Sequence, residues 1–307
     1  MCVLMGGGLS CVWTAHDLFG AHSSLNVVRL FQILFCGGLI VQTFRLNYDQ
    51  LEYRRLAIGG GSPAHVMKRR GTDRPDVWPL LGHETWPVFG WFDLRLSRKT
   101  YLYFFDVFRI SIVLATIGFF PRIMLACACV SYFGAFSQLV GLSYVRRKSN
   151  LFPFIFAILA AAPGIDADLR APVPLWPLYL VLVTLCMQYF NAGLTKLRVS
   201  GWSWVTSEAL QAHMLEECLF KPNPTGMWFS SQTSLCKLLA AFSLFFELAF
   251  PLALVFPSAT FLFGVVGAAF HYGVFKTMKV DFIRYFSPIY FVFVVLLADK
   301  VGAGAWF

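Results

Sequence analysis

Apolar residues fall along this chain in long unbroken runs, and polar residues collect between them. Eight runs can be drawn, at roughly 26–44, 101–120, 122–144, 150–163, 175–197, 235–256, 258–278 and 283–298. About 20 apolar residues in a helix rise ~30 Å, the thickness of a bilayer core, so the longer runs predict membrane-crossing helices. The fourth is short and carries Pro153 and Pro163, which predicts a tilted or re-entrant helix. The expected fold is all-α: a polytopic membrane helix bundle of about eight transmembrane helices, one short or re-entrant, in a single membrane domain over 1–307. No internal repeat is visible, which argues against the repeat architecture of many secondary transporters.

Composition agrees with that picture. Hydrophobic residues make up 58% of the chain and charged ones 13%, against about 25% charged in soluble domains. The 33 phenylalanines would aggregate in water. A net charge of +9 fits a basic membrane face that attracts anionic headgroups or an acidic substrate. No nucleic-acid partner is expected, because no RNP, zinc-finger or helix-turn-helix pattern accompanies the charge. Eight cysteines, at 2, 11, 36, 127, 129, 186, 218 and 236, form no CxxC or Cys/His cluster and read as small buried hydrophobes. Metal ligation is not expected. The first thirteen residues lack the basic flank and cleavage site of a signal peptide and are too short to span.

The charges between runs divide sharply. With eight spans, one face carries Arg45, Arg54, Arg55, Lys68, Arg69, Arg70, Arg74, Arg95, Arg98, Lys99, Arg146, Arg147, Lys148, Arg198, Lys221, Lys276, Lys279 and Arg284; the other has Arg122, Arg170 and Lys300. Positive-inside reasoning puts the rich face in the cytosol. Two extramembrane loops, 45–100 and 198–234, fall on it. The first contains turn-rich stretches, Gly59 to Pro63 and Trp78 to His83, that predict an ordered surface excursion. In the second, Trp202, Trp204, Met227 and Trp228 suit headgroup depth. Residues 205–220 have helical apolar spacing, a Thr206 or Ser207 cap and a Pro222-Asn-Pro224 stop, so they predict an amphipathic helix lying on the membrane.

Ionisable groups inside the runs are the candidate chemistry. Asp106 and Arg109 are three apart and can pair on one helical face. Glu247, near the middle of its run, is protonated or paired with a cation from another helix, Arg29 or Arg109. His271 is a bonded core histidine or an active-site group on the same side as Lys196. Lys196 closes the 175–197 run. Its ammonium reaches the interface, finds a partner or gives up its proton, and the last outcome makes a general base. Gly193 and Ala192 permit close helix approach, which would enclose this amine.

The segment Tyr189-Phe-Asn-Ala-Gly-Leu-Thr-Lys-Leu197, with a tryptophan at 202 or 204, resembles the horizontally transferred transmembrane (HTTM) family, which includes the membrane domain of vitamin K-dependent gamma-glutamyl carboxylase. Phe270-His271 matches a Phe-His pair holding an active-site histidine there, and weaker similarity covers Asn26–Thr43 and Tyr101–Arg122. The resemblance implies that Lys196 is a base acting on a quinone or vitamin K-like lipid, with His271 beside it. The chain is also similar to lipase maturation factors, through Ala192-Gly-Leu-Thr-Lys-Leu-Arg198, Trp202 or Trp204, Pro222-Asn-Pro224 and Glu247-Leu-Ala-Phe-Pro251. It departs from the carboxylase where that family has Asn-Asn-His: here Arg146-Arg-Lys-Ser-Asn-Leu151 places Lys148 at the histidine's position. The carboxylase also continues into a lumenal β-rich domain, whereas this sequence stops nine residues after Ala298, so a full protein carboxylase is not expected. The resemblance puts the Lys196 face in the lumen or outside, opposite to the charge rule.

Two functions follow as expectations. The first is a membrane enzyme, carboxylase-like or quinone-dependent, acting on a quinone-like or other membrane lipid. Lys196 and His271 are its catalytic groups, with Lys148, Arg147, Trp202 and Trp204 binding substrate; a phenol or hydroquinone ionises near pH ~10, within reach of a neutral amine. The second is a non-catalytic maturation protein whose 45–100 and 198–234 segments hold a protein client. Either would be an integral multi-pass protein of the endoplasmic reticulum or a bacterial inner membrane.

Overall fold

Each of the eight apolar runs becomes helical. A computed structural model of the chain describes residues 22–23, 26–44, 98–140, 151–220, 222–256, 259–280 and 282–302. The helices over the runs are α1 (Val27–Phe44), α2 (Arg98–Ile117), α3 (Pro121–Val140), α4 (Leu151–Ala161), α5 (Trp176–Ser200), α9 (Thr233–Ala249) with α10 (Leu252–Val255), α11 (Thr260–Met278) and α12 (Phe282–Gly302). Three more, α6 (Ser203–Thr206), α7 (Ala209–Phe220) and α8 (Pro224–Ser230), lie between α5 and α9. Among the described residues, one two-residue ladder departs from the all-α expectation: β1 (His22–Ser23) pairs antiparallel with β2 (Val173–Pro174), His22 facing Pro174 and Ser23 facing Val173.

Helix at eight runs is not the same as eight spans. By length and composition α5 and α11 can cross a membrane, and α8 with α9 qualifies as a third only as a pair bent by 96°. Val27–Thr43, Pro121–Gly134, Leu151–Ala161 and Phe286–Asp299 are shorter apolar stretches. The reasons are local. Pro251 lacks the N–H that would continue α9, so the run breaks into α9 and α10. Arg98, Lys99, Asp106 and Arg109 dilute α2. The 11 residues of α4 rise only ~16 Å, about half of a bilayer core.

The chain forms two compact units, Val28–Ala171 and Met1–Val27 with Pro172–Phe307. In the first, α2 packs on α3 and α3 on α4. Its centre is aromatic: Phe35 meets the Phe152 ring edge-on at 5.8 Å, and Phe108 meets Phe156 at the same distance. Arginines in this unit hold backbone carbonyls. Buried Arg29 donates to Gln32 and, at 3.1 Å, to the Ala115 carbonyl. Arg109 donates to the Thr43 carbonyl at 2.6 Å and lies 4.7 Å over the Phe105 ring. Arg122 clamps the end of α4, through Ala160 O at 2.8 Å, Ala162 O at 3.0 Å and the Asp166 carboxylate at 3.0 Å. A cation on the last carbonyls of a helix also opposes the negative end of its dipole.

In the second unit α5 packs on α9 and α12, and α11 on α12. A Cβ on Gly193 would stand 3.1 Å from Glu247 Cβ and from the Leu248 side chain, so the glycine permits the close approach of α5 to α9 that its sequence context predicts. Most of the helix expected at 205–220 is present, as α7. The 198–234 segment folds as α6, α7 and α8 over the ends of α9 and α11, with Met214, Cys236, Met278 and Val280 forming a buried cluster beneath it. Asn223, between the two prolines, is buried and donates both amide hydrogens, to Lys276 O and Thr277 O at 2.8 Å each. The Pro-Asn-Pro element therefore both stops α7 and caps the last turn of α11, whose chain then turns through Lys279 in the left-handed region at φ 54°. Ser207 Oγ accepts from the Ala209 N–H at 3.2 Å, so the expected hydroxyl sits at the start of α7.

Candidate functional site

Two groups of polar side chains lie inside the second unit, both on α5. Lys196 and Glu247 form the first. The Lys196 Nζ donates to the two carboxylate oxygens of Glu247 at 2.6 and 2.7 Å. The Glu247 side chain is 7% exposed and the Lys196 side chain 21%. The pairing follows from Gly193: one turn before Lys196, its missing side chain brings α9 close enough for Glu247 to reach the amine. Trp204, in α6, closes the other side, with Nζ 5.1 Å from the centre of its ring.

The second group centres on Tyr189. Its hydroxyl is 2.6 Å from Nε2 of buried His271 and bonds to the Tyr290 hydroxyl. These atoms come from α5, α11 and α12. Gly267 makes the meeting feasible, because a Cβ there would fall 2.6 Å from the Tyr290 hydroxyl. Aromatic rings surround the chain of bonds. Tyr189 stacks on Phe250 at 3.9 Å, Phe286 stacks on the imidazole at 4.7 Å and Phe282 at 5.2 Å. Tyr189 and Lys196 are seven residues apart on α5, two turns or ~10 Å along its axis, so both groups share one helical face.

The structure thus brings together some of the residues singled out in the sequence and separates others. Lys196, Glu247 and Trp204 are neighbours. Glu247 has Lys196 as its partner, not Arg29 or Arg109, which donate to carbonyls within the other unit. Asp106 is exposed on α2, one turn before Arg109. Trp202 is 63% exposed, with its ring 6.5 Å from that of Phe245, and does not join the buried groups. Arg147 and Lys148 lie outside the described residues, as does nearly all of 45–100. Of the three outcomes open to the Lys196 ammonium, the structure shows the second: it has a partner, the Glu247 carboxylate. Tyr189 and Tyr290 were not singled out from the sequence. Tyr189 opens the very motif that ends in Lys196, and its place on the same face, two turns back, was the available signal. Tyr290 had none beyond a hydroxyl in an apolar run.

Chemically, a lysine and a carboxylate sharing protons can act as acid and base, and a hydroxyl–imidazole–hydroxyl chain can pass a proton along its bonds. Among the described residues no group of three His, Cys, Asp or Glu side chains is placed to hold a metal. No protein-family model, curated protein or solved structure matches the chain.

Proposed function

We propose that this is a multi-pass membrane protein of about eight membrane-embedded helices, HTTM-like in character, that performs proton transfer on a quinone-like or other ring-bearing lipid. The Lys196–Glu247 pair is its acid–base centre, and His271, oriented by Tyr189, assists. One observation carries the reading: an ion pair and a hydroxyl–imidazole chain, both enclosed and both on the same face of α5, stand among aromatic rings that suit a flat ligand. Ion pairs buried in an apolar bundle are costly unless geometry and hydrogen bonds compensate, and intramembrane ionisable groups concentrate at functional sites. In the proposed step Glu247 takes one proton from the Lys196 ammonium. The amine then accepts the proton of a substrate hydroxyl as that O–H bond breaks, and the negative oxygen remains beside the re-formed ammonium.

The test uses the full chain in nanodiscs with a reduced naphthoquinone, whose ionisation is read from its ultraviolet difference spectrum at fixed pH. The wild type is expected to produce a saturable ionised signal that falls more than about tenfold in Lys196→Met and in Glu247→Gln. An equal signal in Lys196→Met, or none in the wild type, removes the acid–base reading.

A client-holding role like that of the lipase maturation factors is the second reading, favoured by the exposure of Trp202, Met227 and Trp228 on the 198–234 segment. Asn223 faces inward onto α11, so contacts with a client would fall to those exposed side chains. Co-purification of a client that is lost on changing them, and kept in Lys196→Met, would support it.

A further inference from the structure

The Lys196 ammonium has three N–H donors, and the two carboxylate contacts occupy two of them. Among the described residues no further acceptor bonds Nζ, which instead faces the ring of Trp204. The indole nitrogen of Trp204 is itself buried and meets no acceptor among those residues. An indole N–H is a donor only, so an oxygen is what would satisfy it, and a buried donor left without one is costly. Tryptophans anchored at a membrane surface keep their N–H wet. Trp202, two residues earlier and largely exposed, fits that role, whereas the Trp204 N–H is covered by protein.

Trp202 and Phe245, 63% and 57% exposed, stand together with rings 6.5 Å apart, and the Lys196 side chain keeps 21% of its accessibility. Exposed Phe242 and Phe245 on α9, the helix that carries Glu247, suit the apolar body of a ligand whose head bears an oxygen.

From these placements we infer that the Trp204 indole N–H and the remaining N–H of Lys196 form a two-donor site for the oxygen acceptor of a membrane amphiphile. This rests on the proposed function, since the same amine serves both, and it assigns Trp204 as the residue that binds the head. Carboxylate, phosphate and quinone carbonyl oxygens share the required chemistry.

Three radiolabelled probes separate those sources: oleate, dioleoyl phosphatidic acid and decyl-benzoquinone. Each is titrated by scintillation proximity against the full chain in phosphatidylcholine nanodiscs. At least one is expected to bind the wild type saturably. Trp204→Phe keeps the ring and removes the donor, so it should weaken that binding roughly three- to tenfold, the effect of one hydrogen bond. An unchanged melting temperature would show that the variant is folded. Arg122→Gln, whose partners are Ala160, Ala162 and Asp166, should bind as the wild type does. Wild-type affinity in Trp204→Phe overturns the site, and so does the absence of saturable binding for all three probes. Loss in Lys196→Met with none in Trp204→Phe removes the indole donor and leaves the acid–base reading standing. Loss in Trp204→Phe, with naphthoquinone ionisation intact in Lys196→Met, removes the acid–base reading instead.

Discussion

Replacing Lys196 by methionine preserves the length and apolar bulk of the side chain and removes the ammonium. It leaves the Glu247 carboxylate, 7% exposed, facing methionine's apolar end. Breaking a buried ion pair by removing one partner costs about 3–5 kcal/mol, mostly through the charge left behind. The lysine end of this pair is 21% exposed, so water can reach part of the site, and the expected loss is at the lower end, about 3 kcal/mol. Glu247→Met should cost less, because the surviving ammonium is the more accessible member and can turn toward water. In Lys196→Met/Glu247→Met no charge remains, and apolar side chains of similar size replace the pair. That double variant should return to within about 1 kcal/mol of the wild type. The assay is reversible unfolding in mixed micelles titrated with sodium dodecyl sulfate, followed by circular dichroism, with all four proteins forming a thermodynamic cycle. A coupling of about 2 kcal/mol or more is expected. Single effects that simply add, within about 0.5 kcal/mol, would mean the two side chains do not interact, and would refute the pairing of α5 with α9 described above.

Other expectations follow from the capping contacts. Asn223→Ala removes two hydrogen bonds to the last turn of α11 and should destabilise by about 2 kcal/mol, with faster amide exchange in Lys279 and its neighbours; unchanged exchange would contradict the cap. Gly226→Ala should abolish folded yield, because its Cβ would fall onto the Thr277 carbonyl oxygen, a backbone atom that cannot step aside; a well-behaved monodisperse variant would be at odds with this packing. Lys279→Gly should stabilise by up to about 1 kcal/mol in the same unfolding assay, since glycine adopts φ 54° without a Cβ penalty. Arg122→Gln should fray the end of α4, seen as faster exchange around Ala160 to Ala162, with no effect on the Lys196 site.

Much of the local structure could be read from residue order because it depends on the solvent each segment prefers. A run such as 175–197 has no polar face to offer water, so helix with its backbone hydrogen bonds satisfied internally is the available state, and α5 covers it. The number of spans was less legible. Pro251 and the charges of α2 interrupt windows that look continuous at coarse resolution. The apolar spacing of 205–220 reports that a face of the helix is covered, not what covers it. Here the cover is the ends of α9 and α11.

Residue order by itself determined that the chain is mostly helical and apolar, where its helices run, and that Gly193 would let a neighbour come close to the turn before Lys196. Tertiary structure alone decided which neighbour. Glu247 is 51 residues from Lys196, His271 is 82 from Tyr189, and Tyr290 is 101 from Tyr189. Contacts at such separations depend on the rotation and register of each helix about its axis, which side-chain packing sets across the whole unit. A few tens of degrees of rotation would leave the same sequence pattern intact and part every one of these atoms.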